Sequence, residues 1–128
     1  MTRERLEQYI TEIYSVEAEH PWASSPDNTV FRHNGNRKWF ALLMQIPRDK
    51  LGLPSQESIH VMNLKCDPRV IGSVRALPGV FPAYHMNKSN WITVVLDGSV
   101  DQEQLLWLLE QSYDLTNTKK HRTKAAGE

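Results

Sequence analysis

At 128 residues, with four Trp, four Tyr, three Phe and a 40% hydrophobic share, the chain can bury one core and is too aromatic for a disordered segment. Lys and Arg (15) balance Asp and Glu (15), so the bulk positive charge typical of strong nucleic-acid binders is absent. A single cysteine, Cys66, excludes an intrachain disulfide framework. No run approaches the roughly 18 apolar residues of a membrane helix.

Residues 2–16 read as an amphipathic helix. Leu6, Tyr9, Ile10 and Ile13 recur at three- and four-residue steps, and Thr2 is placed to cap. This start is charged and periodic rather than basic and then apolar, so a cytoplasmic protein is expected. The helix should end before His20-Pro21, since a residue preceding proline avoids the α region. Residues 21–28, rich in Pro and Ser, are a loop. Pro21-Trp22 reads as an anchor pinning that loop to the body.

Thr29–His33, the turn signal Asn34-Gly35 and Trp39–Met44 form the clearest hairpin. Its second strand is apolar on both faces. A sheet wet on one side should alternate cleanly, so a loop, a second copy or a partner is expected to cover it. Ser58–Lys65 is a third strand. Asp67-Pro68 should open a helix with Val70, Ile71, Val74 and Leu77 inward, stopped by Pro78-Gly79. A short strand at Ala83–Met86, a turn at Asn87–Asn90 and a strand at Trp91–Leu96 follow. Ser99 with Gln102 suggests a capping box for a last helix ending near Asn117. Residues 118–128 are polar and basic and are expected to be disordered. The order α-β-β-β-α-β-β-α predicts one α+β domain over residues 1–117, a two-layer sandwich with an antiparallel sheet.

Charge is unevenly placed. Residues 1–30 hold two Arg against six acids, 31–90 hold nine Lys and Arg against three acids, and 91–117 hold five acids and no Lys or Arg. Zero total charge therefore leaves room for a local positive patch.

Several strings carry a resemblance: E-H-P-W (19–22), V-F-R (30–32), K-W-F-A-L (38–42), N-L-K (63–65), D-P (67–68) and Q-S-Y-D-L (111–115). The most specific is P-A-Y-H-M-N-K-S-N-W-I-T-V-V-L-D-G (82–98). Over residues 2–116 the chain resembles the YjbR/MmcQ family of small bacterial proteins. The resemblance implies an α-β3-α-β2-α fold, related in architecture to type III secretion chaperones, and a double-wing surface suited to DNA. The hairpin tip, N-G-N-R, departs from a tighter Gly-Gly turn.

The residues themselves offer little to catalysis, and no cofactor is expected. Residues 29–46, 58–65 and 80–96 contain no Asp or Glu, so paired carboxylates do not sit on the sheet. No nucleophile, metalloprotease or phosphate-loop motif occurs. His33, His60 and His85 could meet across strands, but none of the five histidines shares a short ligand spacing with another. Ser112-Tyr113 reads as helix packing, and Cys66 as a small buried hydrophobe.

Nucleic acid fits better. Arg32, Arg37 and Lys38, with Asn34 and Asn36, cluster at one hairpin tip. Tyr84, Asn87, Lys88 and Trp91 cluster at another turn, and Lys65 ends the strand between. Cations suit phosphates, Asn suits base edges and aromatics suit stacking. Ordinary solvated cations and a core Trp91 are the plain alternative. The expectation is that both turns meet at one concave site free of anionic side chains and bind DNA or another anion. The alternative is a chaperone-like module that uses the sheet face for a protein partner or homodimer.

Overall fold

The structure, a computed structural model, describes residues 1–117; the expected disordered tail lies outside the described residues. Helix α1 (Arg3–Tyr14) is capped by Thr2, whose hydroxyl accepts from Arg5 N at 3.1 Å. Strands β1 (Thr29–Arg32) and β2 (Trp39–Pro47) form the hairpin, and a 3-10 turn (Arg48–Leu51) leads towards β3 (Ser58–Lys65). Then come α2 (Ile71–Arg75), β4 (Val80–Pro82), β5 (Trp91–Val95) and α3 (Gln102–Thr116). All neighbours in the five-stranded sheet are antiparallel, in the order β1-β2-β3-β5-β4. The molecule is an α+β fold, as its sequence predicts.

The helices bury one face of the sheet. Leu6 and Ile10 from α1, Ile71 and Val74 from α2, and Leu105, Leu108 and Leu109 from α3 close on Phe31, Leu43, Met62, Leu64, Ile92 and Val94. The opposite face is apolar too: Val30, Leu42, Met44, Ile59, Val61 and Val95. This chain's own loops and the edge strand β4 cover much of it. Trp22, Leu51, Tyr84 and Met86 from loops and turns, and Phe81 from β4, pack there, which explains the two-sided β2. Trp22 anchors its loop edge-on against Trp39, with ring centres 5.5 Å apart at 84°.

A bulge sets the hairpin's geometry. Phe31 pairs with Ala41 but Arg32 pairs with Trp39, so β2 carries one extra residue. Phe40 and Ala41 both join the helix-side core, and Trp39 emerges on the other face.

Three local expectations need correction. The short strand is Val80–Pro82 rather than Ala83–Met86. Beyond Pro82 side chains take over from the ladder: Tyr84 N donates to Thr93 Oγ1 (2.9 Å) and Tyr84 O accepts from Asn63 Nδ2 (2.8 Å). His85 then turns to φ 64°. Asp67-Pro68 belongs to a turn, where Asp67 Oδ1 accepts from Arg69 N and Asp67 O from Val70 N, and α2 starts at Ile71. Ser99 folds back onto Asp97 Oδ1, and Asp101 caps α3 by accepting from Gln104 N at 2.8 Å. Gly79 is required where α2 gives way to β4. Its φ is 83°, and a Cβ there would sit 2.6 Å from Val100 Cγ2.

Candidate nucleic-acid interface

Antiparallel pairing brings the ends of β1 and β3 and the starts of β2 and β5 to one end of the sheet. Across that end stand Arg32, Trp39, Lys65 and Trp91. Arg32 is opposite Trp39 in one ladder, and Lys65 is opposite Trp91 in another. Period-two alternation puts Lys65 with Val61, and Trp91 with Val95, on the helix-free face. Cation and aromatic therefore alternate. The Arg32 guanidinium carbon lies 5.9 Å from the Trp39 ring centre, and Lys65 Nζ lies 5.5 Å from that of Trp91. Both are within the cation–π range. All four side chains are partly buried, which fixes their positions while leaving an edge to solvent.

Two turns flank this row: residues 33–38 join β1 to β2, and residues 83–90 join β4 to β5. Three strand spacings separate them, roughly 14 Å. They project from the same end of the sheet.

The first turn is pinned to the body. His33 N donates to Lys38 O at 2.9 Å, and Arg37 takes a left-handed φ of 63°. Asn34 Nδ2 donates to Ser15 O past the end of α1, and Asn36 Nδ2 to Thr116 O at the end of α3. These amides cap helices. In the second turn Asn87 Oδ1 accepts from Ser89 N (2.7 Å) and Asn87 O from Trp91 N (2.9 Å). Arg75 donates to Lys88 O at 3.0 Å, tying α2 to the turn. Asn63, Thr93 and Tyr84 close a ring of hydrogen bonds beneath it, completed by Thr93 Oγ1 to Asn63 Oδ1 at 2.6 Å. Tyr84 is partly buried, with its ring centre 3.9 Å from that of His85.

The expected anion-free surface needs its largest correction at Glu19. This residue pairs with Val30, exchanging two backbone hydrogen bonds at 3.0 and 2.9 Å, and so extends the sheet beside β1. Its carboxylate lies 3.1 Å from Arg32 Nε and 2.6 Å from Arg37 Nη2. Arg32 Nε is buried and makes no hydrogen bond, so its contact with Glu19 is an ion pair only. Two arginines and one glutamate leave one net positive charge. Among the described residues, Lys38, Lys65 and Lys88 have no carboxylate within ion-pair distance.

The histidines do not converge. His33 is buried, its Nε2 is 2.7 Å from Thr116 Oγ1 and its ring is 4.2 Å from that of Tyr113. Burial lowers its pKa below the ordinary 6.5. His60 Nδ1 meets Arg3 at the opposite end of β3, and His85 lies in the β4–β5 loop. Among the described residues no group of three His, Cys, Asp or Glu could hold a metal. Ser112 is structural: its hydroxyl donates to Phe40 O and accepts from Lys65 N. Burial pushes the Cys66 thiol up, against nucleophilic use.

Trp39 and Glu19 belong to this cluster, although residue types alone do not single them out. Trp39 lies inside an apolar run, and only the bulge turns it beside Arg32. Glu19 lies in an acidic link whose pairing with β1 has no local signature.

The YjbR family model matches residues 11–115. The chain is 35% identical over 116 residues to the protein YyaQ of Bacillus subtilis (strain 168), covering 91% of this chain and 98% of that one. A crystal structure of a Pseudomonas syringae protein superposes with a TM-score of 0.89 at 44% identity, over 91% of this chain and 100% of the other. A Deinococcus radiodurans protein matches with a TM-score of 0.71 at 31% identity, over 97% of this chain and 83% of the other. The names of these proteins state no activity. A family match over most of the chain, a relative aligned nearly end to end and a shared fold lead to one conclusion: the chain belongs to the YjbR family.

Proposed function

We propose that this protein is a non-enzymatic nucleic-acid-binding domain, with DNA as the first candidate. Lys38, Lys65 and Lys88 contact phosphates. Arg32 and Arg37 contribute the one positive charge that Glu19 leaves them, and Trp39 and Trp91 offer aromatic edges. The observation that carries this reading is the cross-strand row of alternating cation and ring, flanked by two turns at one end of the sheet. Two cations held over rings, Lys65 clear of carboxylates and Arg32 sharing Glu19 with Arg37, suit a charged, stacked polymer better than a small neutral ligand. Tyr84 and Asn87 act as supports that hold the second turn.

Binding of a labelled oligonucleotide tests the proposal. At low salt the wild type should bind at micromolar protein, and Lys38→Gln/Lys65→Gln/Lys88→Gln should weaken binding about tenfold or more. Equal binding by both proteins removes the proposal.

One observation favours a second reading, self-association. On α3, Trp107 and Leu115 are 50% and 42% exposed, and with Val70 they border an apolar cavity of about 290 Å³. A dimer in sedimentation that Trp107→Glu dissolves supports this reading, and a monomer at every concentration removes it.

A further inference from the structure

On the helix-free face, between the 21–28 loop and the β4–β5 loop, lies a second cavity of about 270 Å³. Trp22, Trp39, Leu42, Met44 and Met86 supply its apolar lining, and Asn28, His85 and two serines its polar groups. Trp22 meets Trp39 edge to face, so two large flat walls meet at a corner. Met44 and Met86 add thioether side chains to the lining, and sulfur packs well against aromatic rings. Such a site suits a flat heteroaromatic ring, held by stacking and oriented by a few polar atoms. Its volume is at the low end for ligand pockets, which suits one ring system and not an extended chain.

The surroundings say what carries the ring. Trp39 is shared between the cavity and the cationic row, with the Arg32 guanidinium 5.9 Å from its ring centre. Arg37 and Lys38 lie in the turn that leads into Trp39, and Arg37 shares Glu19 with Arg32. A ring entering beside Trp39 thus leaves its backbone next to positive charge. His85 holds φ at 64°, a conformation a non-glycine residue keeps only when its surroundings enforce it. The hydrogen-bond ring through Asn63, Thr93 and Tyr84 supplies that enforcement one residue away.

We infer that this cavity is a nucleobase pocket, taking one unpaired base of a single strand whose phosphates lie along the cationic row. The inference rests on the nucleic-acid reading above and sharpens it. A base stacked inside a duplex cannot enter, so the preferred ligand is single-stranded.

The test compares wild-type binding to a short oligothymidylate with binding to an abasic strand of equal length and charge. The intact strand should bind roughly tenfold tighter, the scale of one stacked base. Trp22→Leu, which keeps an apolar cover, should erase the difference and leave the abasic affinity unchanged. Met86→Ala, at the opposite wall, should reduce it should Trp22→Leu fail to fold. Equal affinity of the two strands for the wild type overturns the base pocket and leaves the phosphate contacts standing. A duplex of the same length binding as tightly as the single strand also overturns it. Binding of no strand at all overturns both.

Discussion

Glu19 decides how much of the positive surface is available. One carboxylate serves two guanidiniums, at 3.1 and 2.6 Å, so half the hairpin's arginine charge is neutralised at rest. Glu19→Gln should therefore raise oligonucleotide affinity several-fold at low salt and make its salt dependence steeper. The same change should lower stability by about 1 kcal/mol, since these side chains are only about a quarter to a half exposed. Titration calorimetry and thermal melting read the two effects separately, and an unchanged affinity would mean that neither arginine meets the ligand. His33 offers a second residue-scale test. Burial holds its pKa below 6.5, so the folded state binds the proton less readily than the unfolded state. Stability is thus complete above that value and falls as pH drops below about 6.5 through the lowered folded pKa. His33→Gln should flatten this part of the curve in denaturant titrations at a series of pH values.

Among the elements, the β4–β5 loop owes its shape to buried side chains and little to strand pairing. Asn63 and Thr93 are fully buried, and they satisfy both backbone polar groups of Tyr84. Asn63→Ala strands Tyr84 O and should cost about 2 kcal/mol in equilibrium unfolding. It should also speed amide exchange in residues 84–90 before the rest of the sheet, and uniform exchange would contradict this role. The same loop shows why the sequence is legible only in part. Periodicity locates α1 and α3, because each buries one stripe, and unbroken apolar runs bounded by turn residues locate the hairpin, β3 and β5, which are buried on both faces. V-F-P-A-Y-H-M offers two short apolar runs, and nothing local says that Asn63, 21 residues before Tyr84, satisfies the second. The capping of α3 is ambiguous in the same way, since Ser99 and Asp101 are both good caps and Ser99 is taken by Asp97. Within the candidate site the cations are visible as residue types. Their pairing is not, because Glu19 reaches them only through its bridge to Val30.

For the whole molecule, two sheet faces with different covers separate two surfaces. The helices, with three acids each on α1 and α3, close one face. Loops bearing Trp22, Tyr84 and Met86 close the other, beside the cationic end of the sheet. A chain of zero net charge can present a positive rim because its sequence segregates charge and its fold mixes the segments there only in part, at Glu19. The salt dependence of single-strand affinity tests this most directly. Three lysines and one net arginine charge predict a log–log slope of about −3, and the triple lysine-to-glutamine variant should fall to about −1. A slope near zero for the wild type, or the same slope for both proteins, would contradict the proposed interface.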